Sequence, residues 1–228
     1  MQESPILLYD IDGTLLKVHR EFLFDLIEEQ LQKFGLQIPE NSTRSFAGRT
    51  DRGIFMELIN HSPGSDDLFD RLKQAYSGVM LQHLTRNHMD LFDEALRSVH
   101  AAVEAGFAVG LCTGNFREVA MKKVETAGLQ NIFKFGGFGE ISADRNHLPG
   151  GAHEEYCSLY GYSPMPGRYV VIGDTPNDIH CAKHFGAKSV AVTTGGFSHD
   201  ELRRHQPDLI LDSLENPAGW LPTLGFDI

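Results

Sequence analysis

Apolar residues recur along this chain in two rhythms. From Leu91 onward, short continuous apolar runs alternate with segments of helical period that stop at glycine. Leu91–Ala105 carries Leu91, Ala95, Leu96, Val99, Ala102 and Val103 on one helical face and ends at Gly106, as helices closed by a left-handed residue do. Phe107–Cys112 follows as an unbroken apolar run, which predicts a strand buried on both faces. The same alternation predicts helices over Phe116–Ala127, Gly151–Tyr160 and Pro176–Phe185. It predicts strands over Phe133–Phe138, Tyr169–Ile172, Ser189–Val192 and Leu209–Leu211, with an earlier one over Ile6–Tyr9. Strands and helices taking turns in this way predict an α/β fold: a Rossmann-like, open, mostly parallel sheet with helices on both faces.

Residues 16–90 keep only the helical rhythm. Leu23, Leu26, Ile27, Leu31 and Phe34 share one face, Ile54, Phe55, Leu58 and Ile59 a second, and Leu68, Phe69, Leu72, Tyr76, Val79 and Met80 a third, with no strand expected among them. The chain thus divides into an α/β core of residues 1–15 and 91–228 and a small all-helical cap, residues 16–90, inserted after the first strand. The two connections, near Leu16-Lys17-Val18 and Arg86–Asp90, are expected to lie side by side, as the hinges of a lid would.

Length and charge narrow the partners. A chain of 228 residues suits one α/β domain with an insertion. Its 20 Lys and Arg against 31 Asp and Glu leave a net charge of −11, which repels nucleic acid and anionic membrane surfaces and favours a small substrate. An anionic substrate then needs positive charge supplied locally, most compactly by a metal ion. The apolar faces of the cap suit a homo-oligomer contact as well as a local core. Cys112, Cys157 and Cys181 form no Cys-x-x-Cys pair, so a reducing cytoplasm is expected. Met1–Pro5 lacks the basic and apolar regions of a leader, and no apolar run is long enough to span a bilayer. Asn41-Ser42-Thr43 matches the glycosylation triplet, which that compartment would leave unused.

The chemistry sits at strand ends. In open parallel sheets, ligands bind beyond the carboxyl ends of the strands. Three predicted strands end in polar, glycine-bearing stretches: Asp10-Ile11-Asp12-Gly13-Thr14, Thr113-Gly114-Asn115, and Gly173-Asp174-Thr175-Pro176-Asn177-Asp178. Each alone would suit an ordinary turn; their coincidence points to a site. Asp10, Asp12, Asp174 and Asp178 are four hard oxygen donors, the ligand type that Mg2+ prefers. His180 and His184 stand one helical turn apart, but with no third ligand they read as a solvated face rather than a zinc pair.

In these three stretches the chain resembles the haloacid dehalogenase superfamily, in its phosphatase branch and near phosphoglycolate phosphatase. They match the family's first, second and fourth motifs in order and spacing, and the insert resembles its first-type cap. The resemblance implies that Asp10 attacks phosphorus to give an aspartyl phosphate. Asp12 would protonate the leaving alkoxide and later activate water. Asp10, the main-chain carbonyl of Asp12 and Asp174 would hold Mg2+, with Asp178 in support. Thr113, Gly114 and Asn115 would bind phosphoryl oxygens. The third motif departs from the usual lysine, since none lies between Phe135 and Gly151. Arg145, in Ser142-Ala143-Asp144-Arg145-Asn146, is the candidate in its place, and a solvated loop arginine is the alternative. Lys122 and Lys123 read as exposed helix charges. Gly48-Arg49-Thr50-Asp51 resembles the family's specificity loop, and Arg49 reads either as a contact to a second anionic group or as a surface arginine at a helix start.

The expected function is Mg2+-dependent hydrolysis of a small phosphorylated metabolite, such as phosphoglycolate or a sugar phosphate. The alternatives are a phosphosugar mutase of the same superfamily, a haloacid dehalogenase, and a non-catalytic phospholigand-binding module. Dehalogenation needs neither the second aspartate nor the metal carboxylates, and so leaves Asp12, Asp174 and Asp178 unexplained.

Overall fold

The computed structural model of the chain describes residues 4–37, 46–59, 65–214 and 216–226. Met1–Glu3 and the Asn41-Ser42-Thr43 triplet lie outside them. The chain enters as β1 (Ile6–Tyr9), turns through β2 (Leu16–Val18), and continues as α1 (Arg20–Lys33), α2 (Asp51–Leu58) and α3 (Ser65–His83). It returns through β3 (Met89–Leu91) and α4 (Asp93–Glu104) to β4 (Ala108–Cys112), α5 (Arg117–Thr126) and β5 (Gly136–Gly137). The remainder runs α6 (Leu148–Tyr160), β6 (Tyr169–Gly173), α7 (Pro176–Phe185), β7 (Lys188–Val192), α8 (His199–Arg204), β8 (Leu209–Leu211) and α9 (Pro217–Trp220). Among the described residues, no helix is long and apolar enough to cross a membrane.

Six strands form one parallel sheet in the order β5-β4-β1-β6-β7-β8. The chain builds outward from β1 to β4 and β5, then crosses back to lay β6 on the other flank of β1. That reversal leaves a crevice at the carboxyl end of β1. Strand side chains alternate between faces, and the core divides accordingly. Leu7, Tyr9, Val170 and Ile172 pack with Ala95, Val99 and Val119 on one side. Ile6, Leu8, Tyr169 and Val171 pack with Ala152, Tyr156 and Cys181 on the other. Helices therefore cover both faces, and the strands need apolar residues at every position, which is why they read as continuous runs.

Several elements differ from the sequence expectation. Leu16–Val18 and Met89–Leu91 are strands, paired antiparallel with Lys17 opposite Asp90, where two connections lying side by side, but no strands, are expected. Three residues are too few to show an alternation, and the pairing joins positions far apart in the chain. Leu91 thus belongs to β3, and α4 starts at Asp93. The run Phe133–Phe138 yields only the two-residue β5. Its phenylalanines are buried for packing instead: Phe135 meets the rings of Tyr156 and Tyr160, at centroid distances of 5.1 and 6.2 Å. Helix α6 begins at Leu148 rather than Gly151, with Pro149 in its first turn, where a missing N–H costs nothing.

Phe116 gathers the aromatic contacts that α2 and α3 make with the segment after β4. Phe116, fully buried, stands edge-on to Phe55, Phe69 and Tyr76 at 5.5, 6.2 and 6.4 Å. Each such pair contributes about 0.5–1.5 kcal/mol beyond area burial. The same Phe116 opens α5, immediately after Thr113-Gly114-Asn115, so this packing is tied to the sheet's carboxyl edge.

Candidate active site

Asp10 follows directly on β1, and its N–H continues the ladder to Ile172 O at 2.9 Å. Gly13 then turns the chain at φ +90°. A Cβ there would fall on the Asp174 carboxylate, so glycine lets the turn close over β6's end. Thr14 donates its hydroxyl to Asp174 Oδ1 at 3.3 Å, and Thr194 holds the turn by donating to Gly13 O at 2.6 Å. Asp174 leaves the end of β6, and Asp178 sits in the first turn of α7. Its Oδ2 accepts from the Thr175 N–H at 3.0 Å and the Thr175 hydroxyl at 2.7 Å, a capping box that fixes both helix start and carboxylate.

The three carboxylates Asp10, Asp174 and Asp178 converge, with one oxygen of each within 4.8 Å of the others, all buried. Arg145, itself only 6% exposed, reaches into them. Its Nη2 lies 2.9 Å from Asp10 Oδ1 and 2.5 Å from Asp178 Oδ1, and also donates to Cys112 O at 3.1 Å. It is not a solvated loop arginine. Burial pushes the Asp10 carboxyl up to about 6, with Arg145 pulling down and Asp178 and Asp12 pushing further up. Burial likewise holds Asp174 well above the usual carboxylate range, reinforced by Asp178 and Asp10. With all three carboxylates ionised, one guanidinium leaves two negative charges uncompensated; burial and that surplus together push Asp10 and Asp174 up, and the surplus suits a divalent cation.

Thr113 follows directly on β4, buried, with its N–H on Gly137 O at 3.0 Å. Gly114 is crowded, since a Cβ there would fall on the Arg49 carbonyl. Asn115 uses its side-chain oxygen on Lys123 Nζ at 2.8 Å. Lys123 is where the sequence reading fails: it is 1% exposed, not a solvated helix charge, and its Nζ lies 2.5 Å from Asp12 Oδ2. The signal was present in the helical period, because the buried face of α5 is Val119, Ala120, Lys123 and Val124.

The stretch Gly48–Asp51 docks on this edge. Thr50 caps α2 by accepting from the Gly53 N–H at 3.1 Å and donates its hydroxyl to Ala143 O at 3.0 Å. Asn177 donates to Gly48 O at 2.8 Å. Arg49 faces a cleft of about 220 Å³ that Arg145 and Asn177 also line, with its guanidinium on Glu57 at 2.5 Å.

Asp51 was not singled out by sequence. Its N–H donates to Gly114 O at 2.7 Å, and its Oδ2 accepts from the Phe116 N–H at 2.8 Å. Burial pushes its carboxyl up to about 7, against the pull of Lys123 and the Phe116 N–H. A carboxyl raised from 3.8 to about 7 on folding costs the fold nothing below its unfolded value and the full amount above its folded one. Wild type should therefore lose about 2–4 kcal/mol relative to Asp51→Asn as pH rises from 4 to 8. Urea unfolding of both proteins at several pH values measures the gap; a gap independent of pH would mean that Lys123 fully compensates the charge.

A family model for haloacid dehalogenase-like hydrolases matches residues 7–192. The phosphoglycolate phosphatase of Aquifex aeolicus is 22% identical over 211 residues, covering 90% of this chain and 91% of that protein. Among solved structures, CbbY from Rhodobacter sphaeroides in complex with phosphate superposes with a TM-score of 0.71 at 19% identity, covering 99% of this chain and all of that one. β-Phosphoglucomutase from Clostridium difficile gives 0.71 at 12% identity, covering 98% of each chain; at such identities the likeness is one of fold. The chain therefore belongs to the haloacid dehalogenase-like hydrolases, and its curated relatives set it among their phosphatases.

Proposed function

We propose that this protein hydrolyses a small phosphomonoester through an aspartyl-phosphate intermediate, with Mg2+ as cofactor. The observation that carries the reading is the buried convergence of Asp10, Asp174 and Asp178 on one guanidinium, with Asp12 two residues beyond Asp10 on the adjoining turn. Asp10 is the nucleophile: its free oxygen bonds phosphorus as the bond to the leaving oxygen breaks. Asp12 gives that oxygen its proton, then takes one from the water that attacks phosphorus and regenerates Asp10. Arg145 fixes Asp10 by one oxygen and leaves the other to react. Thr113 and the Gly114 N–H receive phosphoryl oxygens, and Asn115 adjoins them.

Asp10 and Asp174 would hold the metal together with the main-chain carbonyl of Asp12. Asp178, both of whose oxygens are engaged by Arg145 and Thr175, supports it. Bound Mg2+ would neutralise the surplus carboxylate charge and that of the phosphoryl group. Residues 16–90 act as the cap, hinged at the β2–β3 ribbon, and Arg49 would trade Glu57 for a second anionic group on the substrate. Phosphoglycolate, named for several relatives, carries such a group. A cytoplasmic setting accords with the three unpaired cysteines.

The test is a phosphate-release screen over phosphorylated metabolites, run with Mg2+ and with a chelator. Release from a small phosphomonoester that chelation abolishes and Mg2+ restores is expected. No release across the panel would revive a binding module, and isomerised sugar phosphate without net phosphate would indicate a mutase.

A further inference from the structure

Lys123 is a buried cation with a specific task. An ammonium taken out of water is costly unless paired, and its partners here are few and directional. Nζ lies 2.5 Å from Asp12 Oδ2 and 2.8 Å from Asn115 Oδ1. The side chain of Lys123 is 2% exposed while that of Asp12 is 38% exposed, so the contact joins a fixed group to a freer one. Helix α5 is anchored at both levels: Val119, Ala120 and Val124 are fully buried, and the Phe116 N–H at its start donates to Asp51.

We propose that Lys123 is the positioning residue for Asp12, holding one carboxylate oxygen so that the other faces the leaving-group oxygen of the substrate. The inference rests on the phosphatase reading above and adds a residue to it. An aspartate on a turn would otherwise populate several rotamers, and proton transfer demands hydrogen-bond reach. Lys123 keeps its own protons throughout: the proton passes from the Asp12 carboxyl to the departing alkoxide, and later from water back to Asp12. Asn115, whose side-chain oxygen is spent on Lys123, serves the same geometry one step removed.

The readout is leaving-group dependence, which a purely structural role would not move. An alkoxide needs its proton as it departs, whereas p-nitrophenolate leaves without one. In Mg2+, kcat/KM is measured for p-nitrophenyl phosphate and for whichever of phosphoglycolate, glycerol 3-phosphate and glucose 6-phosphate the wild type turns over fastest. Lys123→Met is expected to lower the alkyl value by about 100-fold, the scale of a misplaced catalytic group, and the aryl value by at least about tenfold less. Asn115→Ala, which keeps the ammonium and removes its anchor, should show the same asymmetry more weakly, and decides the matter if Lys123→Met does not fold. Equal losses on both esters in an active enzyme would overturn the role of Lys123 and leave the phosphatase standing. Turnover of none of the four esters by wild type would overturn both.

Discussion

Replacing Asp10 by asparagine is expected to abolish phosphate release, lowering kcat by at least about 10⁴-fold, the scale seen when a covalent nucleophile is removed. The substitution is nearly isosteric, and the new amide can still accept from Arg145 Nη2 through its oxygen, so the 2.9 Å contact to that guanidinium has a counterpart. It also removes a charge that the fold holds at a cost, since burial already pushes this carboxyl up to about 6. The variant should therefore unfold at a temperature no lower than wild type while turning over almost nothing. That pairing separates lost chemistry from lost structure. Steady-state phosphate release beside a thermal melt measures both, and turnover within about 100-fold of wild type would place the nucleophile elsewhere.

What the sequence disclosed and what it concealed divide along physical lines. Strands β1, β4 and β6 were legible because a strand buried on both faces needs apolar residues at consecutive positions. The motifs were legible because the turns bearing Asp10, Thr113 and Asp174 are each a few residues long, so their chemistry is written locally. The β2–β3 ribbon was not, since its register depends on pairing Leu16 with Leu91 across the whole helical segment. Phe133–Phe138 misled because apolar residues buried outside a sheet, as Phe135 is against Tyr156 and Tyr160, look the same in sequence as residues buried within one. Lys123 was misread by residue type: lysine is rarely buried unpaired, and its partners, Asp12 and Asn115, come from other elements. The period of α5 placed it on the apolar face all the same. Asp51 was concealed for a similar reason, because its partners Gly114 and Phe116 lie in a distant segment.

Arg145 is a second member of the site whose removal should have a large effect, and here the effect falls on stability as well as turnover. Its Nη2 is the shared partner of Asp10 and Asp178, and its charge is the one that draws down Asp10 and Asp174. Arg145→Ala strands buried carboxylates without a counter-ion, the kind of change that costs about 3–5 kcal/mol. Added Mg2+ should recover part of that loss, because a cation that binds only the folded chain stabilises it by mass action. Arg145→Lys should lie between, since an ammonium is a point charge and cannot reproduce the planar fork. Urea unfolding with and without Mg2+ reads the stability, and phosphate release should fall about 10²–10³-fold in the alanine variant, as when one oriented donor is lost. An alanine variant as stable as wild type without Mg2+ would mean that the carboxylates are neutral in the resting protein. The cluster would then lack the negative surplus on which the metal assignment depends.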